Sequence, residues 1–202
     1  MAPDTLIKRI QHVKERRYAE VGLCGINLGR YGLDLHPPTS LSDLILAMDG
    51  PEVPGRVRLS SIEPTELSEE FIARLRASEH ICRHLHIPLQ SGDKHVLKRM
   101  NRLYRPEFYR DLIHHIVNTM PAVALGVDVM VGFPGETDGA YQRTRRLIDE
   151  LPVAYLHVFP FSVQNGTAAE SLEDRVSPET IKERAQVLRE MGQAKRRAFY
   201  ER

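Results

Sequence analysis

Apolar positions along this chain alternate between two periods. Short runs, alternating or unbroken, read as strands over residues 19–27, 57–62, 83–90, 124–131 and 154–161. Between them, helical spacing predicts helices over 5–17, 41–48, 68–77, 106–120, 139–151 and 178–202. In the fourth of these helices Phe108, Leu112, Ile113 and Ile116 recur on one side; in the last, Ile181, Ala185, Leu188 and Met191 do the same. Ser177 before Pro178 marks a helix start, a hydroxyl cap followed by a residue with no N–H to lose. Ser40, with Asp43 three positions on, reads as a second capped start. Each strand follows one helix and precedes another, which predicts βα units and a parallel sheet.

Alternation within the strands separates two faces. Val127, Val129 and Val131 oppose Asp128, Met130 and Gly132, and Leu85, Ile87 and Leu89 oppose His84, His86 and Gln90. A parallel sheet covered on both sides is apolar on both faces. One face that keeps polar groups therefore predicts a ligand cavity inside a curved sheet or open barrel. A complete eight-unit barrel takes about 250 residues. Five units behind a helix that no strand precedes predict a partial (β/α) TIM-like barrel, incomplete at its N-terminal end. The segment DGPEVPG at 49–55 reads as a loop between units.

Composition narrows the class rather than the function. The 202 residues suit one domain, and 42% hydrophobic with 27% charged residues is ordinary for a globular protein. No apolar run reaches the roughly 18 residues of a membrane span, and MAPDTLIKRIQ is too polar for a signal peptide. No membrane association is expected, and the chain is placed in the cytoplasm. Net charge is +1 from 28 basic and 27 acidic residues, which does not announce a nucleic-acid binder. The tail KRRAFYER (195–202) reads first as a solvated helix face, with phosphate contact as the alternative. Cys24 and Cys82 are too few and too far apart for a disulfide scaffold or a zinc site, and read as two buried free thiols.

In βα proteins ligands sit at the carboxyl ends of the strands. All five ends here are polar or rich in glycine: GINLGRYG (25–32), SSIEP (60–64), PLQSGD (88–93), DVMVGFPGETD (128–138) and FPFSVQNGTAAE (159–170). GFPGET lacks the Lys-Ser/Thr ending of a phosphate loop, and GINLGRYG lacks dinucleotide-fingerprint spacing. Asn27, Glu63, Gln90 and Asp128 suit a ligand with hydroxyls and an ammonium group. Taken singly, each reads as a hydrogen-bonded turn or helix cap. His84 and His86 read as hydrogen-bonded interior histidines, since no third metal ligand is near them in sequence. His114 and His115 read as solvated. Chemistry alone thus predicts a parallel α/β binding domain without naming its ligand.

These motifs, in this order, resemble the radical S-adenosylmethionine methylthiotransferases. The carrying residues are GINLGRYG, VRLSSIEPTELSEEF (57–71), HLHIPLQSGDKHVLKRMNRLY (84–104), DVMVGFPGETD and the weaker FPFSVQNGTAAE. The likeness runs over essentially the whole chain, and SSIEP tilts it toward the subgroup acting on threonylcarbamoyladenosine beside the tRNA anticodon. The resemblance implies a partial barrel holding S-adenosylmethionine over a [4Fe–4S] cluster, with an electron donor for the cluster and tRNA as partner. Oligomeric state is not implied. Cluster ligands of the family are spaced Cys-x3-Cys-x2-Cys, a pattern this chain lacks. The expectation is therefore a fragment that starts just past the cluster loop, ends before the tRNA-binding domain and is inactive alone.

Carried over by resemblance, Gly25 and Asn27 take the position that holds the methionine amino group. Ser60, Ser61 and Glu63 reach the amino or carboxylate groups, and Gln90 and Ser91 the ribose or carboxylate. Asp128 faces inward beside them, while Val131 and Gly132 lie against adenine. Glu136 is expected to cap the following helix. Where the family carries an arginine and a proline before Gly-Thr, this chain has Gln164 and Asn165 before Gly166 and Thr167. Two other readings remain from the residues themselves. A cluster-independent aldolase-like lyase would need a strand-end lysine, and a non-catalytic module would use the rim for a nucleoside-like molecule.

Overall fold

A computed structural model describes residues 1–49 and 53–202, which form two compact units. The loop read at 49–55 lies in part, at 50–52, outside the described residues. Unit 1 comprises Met1–His86 and Ile116–Val123, and unit 2 comprises Ile87–His115 and Ala124–Arg202.

Unit 1 contains α1 (Pro3–Glu15), β1 (Glu20–Leu23), α2 (Leu41–Ala47), β2 (Arg56–Leu59), α3 (Glu69–Ala77), β3 (His84–His86) and the end of α5 (Pro106–Thr119). β1 and β2 pair in parallel with Leu23 opposite Leu59, and Ile81 adds a parallel bridge to Val57. Ile10, Leu44, Ile45, Val57, Ile72 and Leu75 form a core that water does not reach. Ser40 and Asp43 make the expected reciprocal capping box on α2, and Ser68, not singled out in the sequence, accepts from the Phe71 amide to open α3. Arg83 donates from Nη1 to the Leu75 carbonyl at 2.9 Å, satisfying an acceptor that the end of α3 would leave orphaned.

Unit 2 contains segment 87–90, which continues the chain from β3, then α4 (Lys94–Arg99), the start of α5, β4 (Ala124–Val131), α6 (Asp138–Glu150), β5 (Tyr155–Pro160) and α7 (Pro178–Tyr200). β4 is central. It pairs in parallel with β5, Asp128 opposite His157, and on its other edge receives the Ile87 and Leu89 amides at its Gly126 and Asp128 carbonyls. Val127, Val129 and Val131 are fully buried, whereas Asp128 and Met130 on the opposite face are half-buried. The two-faced reading of this strand therefore holds. α7 packs on β5 and β4, and at Gly192 an added Cβ would press on Leu156 at 3.2 Å, so glycine permits the close approach.

The predicted strand at 124–131 agrees with β4 residue for residue, but the four others are shorter than the apolar pattern suggests, β5 by one residue at each end. β1 stops at Leu23 because the glycine-rich segment turns into a 3-10 turn at Leu28–Arg30. β2 ends before Ser60, and β3 is only His84–His86. α4 was not expected. Directly after the rim segment 88–93, Asp93 accepts from the His95 and Val96 amides and starts a short helix. Cys24 corrects a second expectation: both thiols are free, but Cys24 is exposed at the end of β1 and only Cys82 is partly buried.

Candidate functional site

The strand ends of unit 2 are built on a hydrogen-bonded frame. Gln90 has φ +62°, a left-handed conformation that glutamine seldom adopts. Its amide donates to the Asp128 carbonyl at 2.8 Å, and its carbonyl accepts from Met130 at 2.9 Å, so β4 holds the strained residue in place. Behind it the hydroxyl of Tyr109 donates to the Ile87 carbonyl at 2.7 Å, and that of Tyr104 lies 3.1 and 3.0 Å from the Pro88 and Leu89 carbonyls. Burial pushes the Tyr109 hydroxyl well above its ordinary range, which keeps it a donor. Gln90 then lines a cavity of about 370 Å³ with Met130, Phe133, Arg99 and Arg102.

Several predicted residues meet a different fate in this unit. Ser91 is fully buried, its Oγ 3.3 Å from the Thr144 hydroxyl and accepting from the Asp93 amide at 3.2 Å. That side chain shapes a turn and is turned away from solvent. Val131 points into the core with Val127 and Val129. Gly132, at φ +81°, lies so close to Ile181 that an added Cβ would collide with it. Only the backbone of this pair is offered at the strand end. Asp128 keeps a half-buried carboxylate on the open face, 3.2 Å from Nδ1 of His157.

Glu136 does not cap α6; the Thr137 hydroxyl does, accepting from the Ala140 amide. The buried Glu136 carboxylate instead accepts from the Gly132 amide at 3.0 Å and from Nη1 of Arg184 at 2.7 Å. Arg184 also donates to the Glu136 carbonyl and to Asp138, and its guanidinium lies 5.1 Å from the Tyr141 ring centre. Burial raises the Glu136 carboxyl, with the Gly132 amide and Arg184 working against it. The GFPGET turn is thus locked onto α7 by a buried ion pair that sequence reading did not find. Its only signal was a lone arginine on the apolar side of the last helix.

In unit 1 the predicted residues stand at the carboxyl ends of the paired strands β1 and β2. Gly25 and Asn27 are exposed. Ser60 follows β2, its amide donating to the Leu23 carbonyl at 2.9 Å, while its Oγ is buried without a hydrogen-bond partner among the described residues. A buried hydroxyl left this way is costly, and its position at a strand end fits a ligand polar group. Ser61 Oγ lies 2.6 Å from Nδ1 of His86, and Glu63 is half-buried just before a 3-10 turn. His86 is therefore hydrogen-bonded, as its sequence suggested. Gln164 and Asn165, the departures from the family pattern, lie exposed after β5 in unit 2.

The two cofactors implied by the resemblance fare differently against these residues. In unit 1 the Ser60 hydroxyl and the exposed Gly25–Asn27 backbone are polar groups of the kind S-adenosylmethionine would need, and in unit 2, taken by itself, so are the strained Gln90 and the half-buried Asp128 carboxylate. The thiols do not suit a cluster. Cys82 donates to Glu20 at 3.8 Å and burial raises its thiol, the reverse of what a thiolate ligand needs. With Cys24 it does not form the Cys-x3-Cys-x2-Cys pattern.

Sequence reasoning missed one more set. Tyr155, His157 and Phe159 form a row along β5, on the face that carries Asp128 and Met130 of β4. Alternation could have signalled it, since aromatic rings occupy every second position of that strand. The lysine a lyase would need is missing from the strand ends: Lys8, Lys14, Lys94, Lys98, Lys182 and Lys195 all lie in helices.

Comparison with known proteins gives the same assignment. The Radical SAM superfamily profile matches residues 3–148. The chain is 40% identical over 189 residues, 92% of its length, to the threonylcarbamoyladenosine tRNA methylthiotransferase MtaB of Bacillus subtilis, covering 41% of that protein. It is 33% identical over 202 residues to a tRNA-2-methylthio-N(6)-dimethylallyladenosine synthase of Clostridium botulinum, covering 98% of this chain and 45% of that one. Among solved structures, coproporphyrinogen III oxidase (HemN) of Escherichia coli, a radical SAM enzyme, superimposes with a TM-score of 0.68 at 17% identity, over 96% of this chain and 46% of HemN. That likeness shows the radical SAM fold, a partial and unclosed (β/α) barrel type. The chain spans less than half the length of these relatives. The profile match over most of its length shows that this chain belongs to the Radical SAM superfamily, within which its sequence is similar to tRNA methylthiotransferases.

Proposed function

We propose that the chain supplies the S-adenosylmethionine-binding part of a cytoplasmic tRNA methylthiotransferase acting at C2 of threonylcarbamoyladenosine next to the anticodon. The observation that carries the reading is the strand-end chemistry: a buried, unpartnered Ser60 hydroxyl in unit 1 and a strained, β4-anchored Gln90 in unit 2. The 40% identity to the B. subtilis enzyme and the SSIEP segment favour the threonylcarbamoyl substrate. The C. botulinum relative makes the dimethylallyl substrate the second reading.

Bound beside a reduced [4Fe–4S] cluster, S-adenosylmethionine supplies radical chemistry able to take hydrogen from an unactivated carbon. The work of this chain is to hold and orient. Gly25 and Asn27 offer backbone and amide groups to the methionine end, with Ser60, Ser61 and Glu63 beside them at the neighbouring strand end. Gln90 and Asp128 offer an amide and a carboxylate for hydroxyls, and the backbone at Val131 and Gly132 offers a flat edge to a base. Held geometry of this kind lowers a barrier by removing the search for the reactive pose. No residue of this chain replaces the three cluster thiolates, so the 202 residues alone make no 5′-deoxyadenosine.

The test is nucleoside analysis of tRNA from a bacterium deleted for its own enzyme and complemented with a chimera in which this chain replaces the matching segment of the B. subtilis relative. Appearance of methylthio-threonylcarbamoyladenosine supports the reading. Methylthio on dimethylallyladenosine instead moves the protein to the second reading, and no methylthio nucleoside at all overturns both. Anaerobic reconstitution of the 202-residue chain, followed by assay for 5′-deoxyadenosine, checks the expected inactivity.

A further inference from the structure

β5 pairs with β4 on one edge, and among the described residues no strand pairs with its other edge. Along it the ring centres of Tyr155 and His157 lie 5.1 Å apart, and those of His157 and Phe159 6.4 Å apart. The rings are tilted by 54° and 79° rather than stacked on each other. Tyr155 is laid across Gly126, where an added Cβ would collide with the ring. Phe159 is 48% exposed, a large apolar side chain kept in solvent on a strand whose other face packs under α7.

Helix α7 brings charge to the same edge. Arg189, Gln193 and Arg196 are exposed and spaced so that they share one helical face. With Tyr155 and His157 they line a concavity of about 260 Å³ to which no carboxylate contributes. Two guanidiniums call for an anion, and a row of aromatic faces calls for flat rings. A free phosphate would leave the rings unused, and an apolar protein partner would leave the arginines unpaired. A single nucleic-acid strand uses both. The row also has a direction: it runs from the arginines beside the amino half of β5 to Phe159, near the carboxyl end where the unit's ligand-facing residues stand.

We infer that this edge of β5 is a docking track for single-stranded RNA, with Arg189 and Arg196 on phosphates and Tyr155, His157 and Phe159 under bases. The inference rests on the proposed function, because it gives the RNA substrate a path to the strand ends.

The experiment is fluorescence anisotropy of a labelled 12-nucleotide single-stranded RNA with the 202-residue chain across a salt series. Replacing both Arg189 and Arg196 by alanine is expected to weaken binding about 10-fold at low salt and to flatten the log K against log salt slope by about 1.4, two single-strand phosphate contacts. Phe159→Ala is expected to weaken binding between about 5- and 100-fold without changing that slope, and Phe159→Tyr to restore it. Arg146→Ala, an exposed arginine on α6, is the control and leaves affinity unchanged. Hydrogen exchange of the unaltered chain, with protection gained along β5 when RNA is added, keeps the test decisive should a variant fold poorly. No binding, binding indifferent to these changes, equal competition by duplex RNA, or self-association through β5 that RNA does not disperse would each overturn the track. Methylthio-threonylcarbamoyladenosine in complemented cells, with RNA binding indifferent to the variants, removes the track and leaves the function. The expected binding pattern without any methylthio nucleoside does the reverse.

Discussion

In unit 2, helices grip the strand ends: tyrosine hydroxyls hold the carbonyls of 87–89, Thr144 receives the Gly92 amide at 2.9 Å, and Arg184 with Glu136 pins the turn after β4. In unit 1 the corresponding segment after β1 stands in solvent, with Gly25, Ile26 and Asn27 exposed and Ile26 more so than in an extended chain. One set of strand ends is preorganised by buried polar networks, which hold geometry because every alternative leaves a buried group unpaired. The other has three consecutive exposed residues before Leu28 returns to the core. Preorganised ends of this kind can fix a ligand's orientation.

That contrast can be broken by mutation, and the largest effect lies at the ion pair. Arg184→Ala strands a carboxylate that is almost fully buried, and a loss of about 3–5 kcal/mol in urea unfolding is expected. A loss below about 1 kcal/mol would mean that water reaches Glu136 and the turn is not locked. Next comes Gly92→Ala. A Cβ there would sit 2.6 Å from the Thr144 Cα, backbone that cannot swing aside, so about 1–3 kcal/mol is expected to be lost. Wild-type stability in that variant would show that α6 is free to move away.

A smaller effect appears with pH. Burial alone would raise the Asp93 carboxyl, but the Val96 amide and the Arg143 guanidinium outweigh it and hold it below the usual range. The folded chain binds that proton less tightly than the unfolded one. Its stabilisation is therefore complete above the unfolded value of about 3.9 and is lost as pH falls through the lowered folded value. Glu136, raised chiefly by burial, acts with the opposite sign: its contribution weakens as pH climbs from the ordinary carboxylate range to its raised value. Urea midpoints between pH 2 and 7 are expected to drop on the acid side for the wild type and to drop less for Asp93→Asn. Parallel curves would show that Asp93 is not tied as described. The smallest effect belongs to the exposed end. Asn27→Ala should change stability by no more than about 0.5 kcal/mol, and a larger loss would place unit 1's strand end among the held ones.

Much of the scaffold was legible because it is written locally. Caps at Ser40 and Ser177, the strict alternation of β4 and the helical stripe of α5 are decided by neighbours within a few positions, where spacing and side-chain reach suffice. The family motifs likewise located the strand ends, since glycine and polar residues punctuate each apolar run. Tertiary structure alone decided what each polar residue does there. Ser91 and Gln90 are adjacent and equally polar in sequence, yet one is sealed against Thr144 and the other is held strained at a cavity wall. Glu136 found its partner 48 positions away in Arg184, and the row on β5 gained its arginines from α7. Such pairings depend on which elements pack together, and burial then sets whether a charge is a lock, a ligand group or solvated polarity. Chain order carries the local preferences, while the cost of leaving buried groups unpaired settles their roles only once the fold has closed around them.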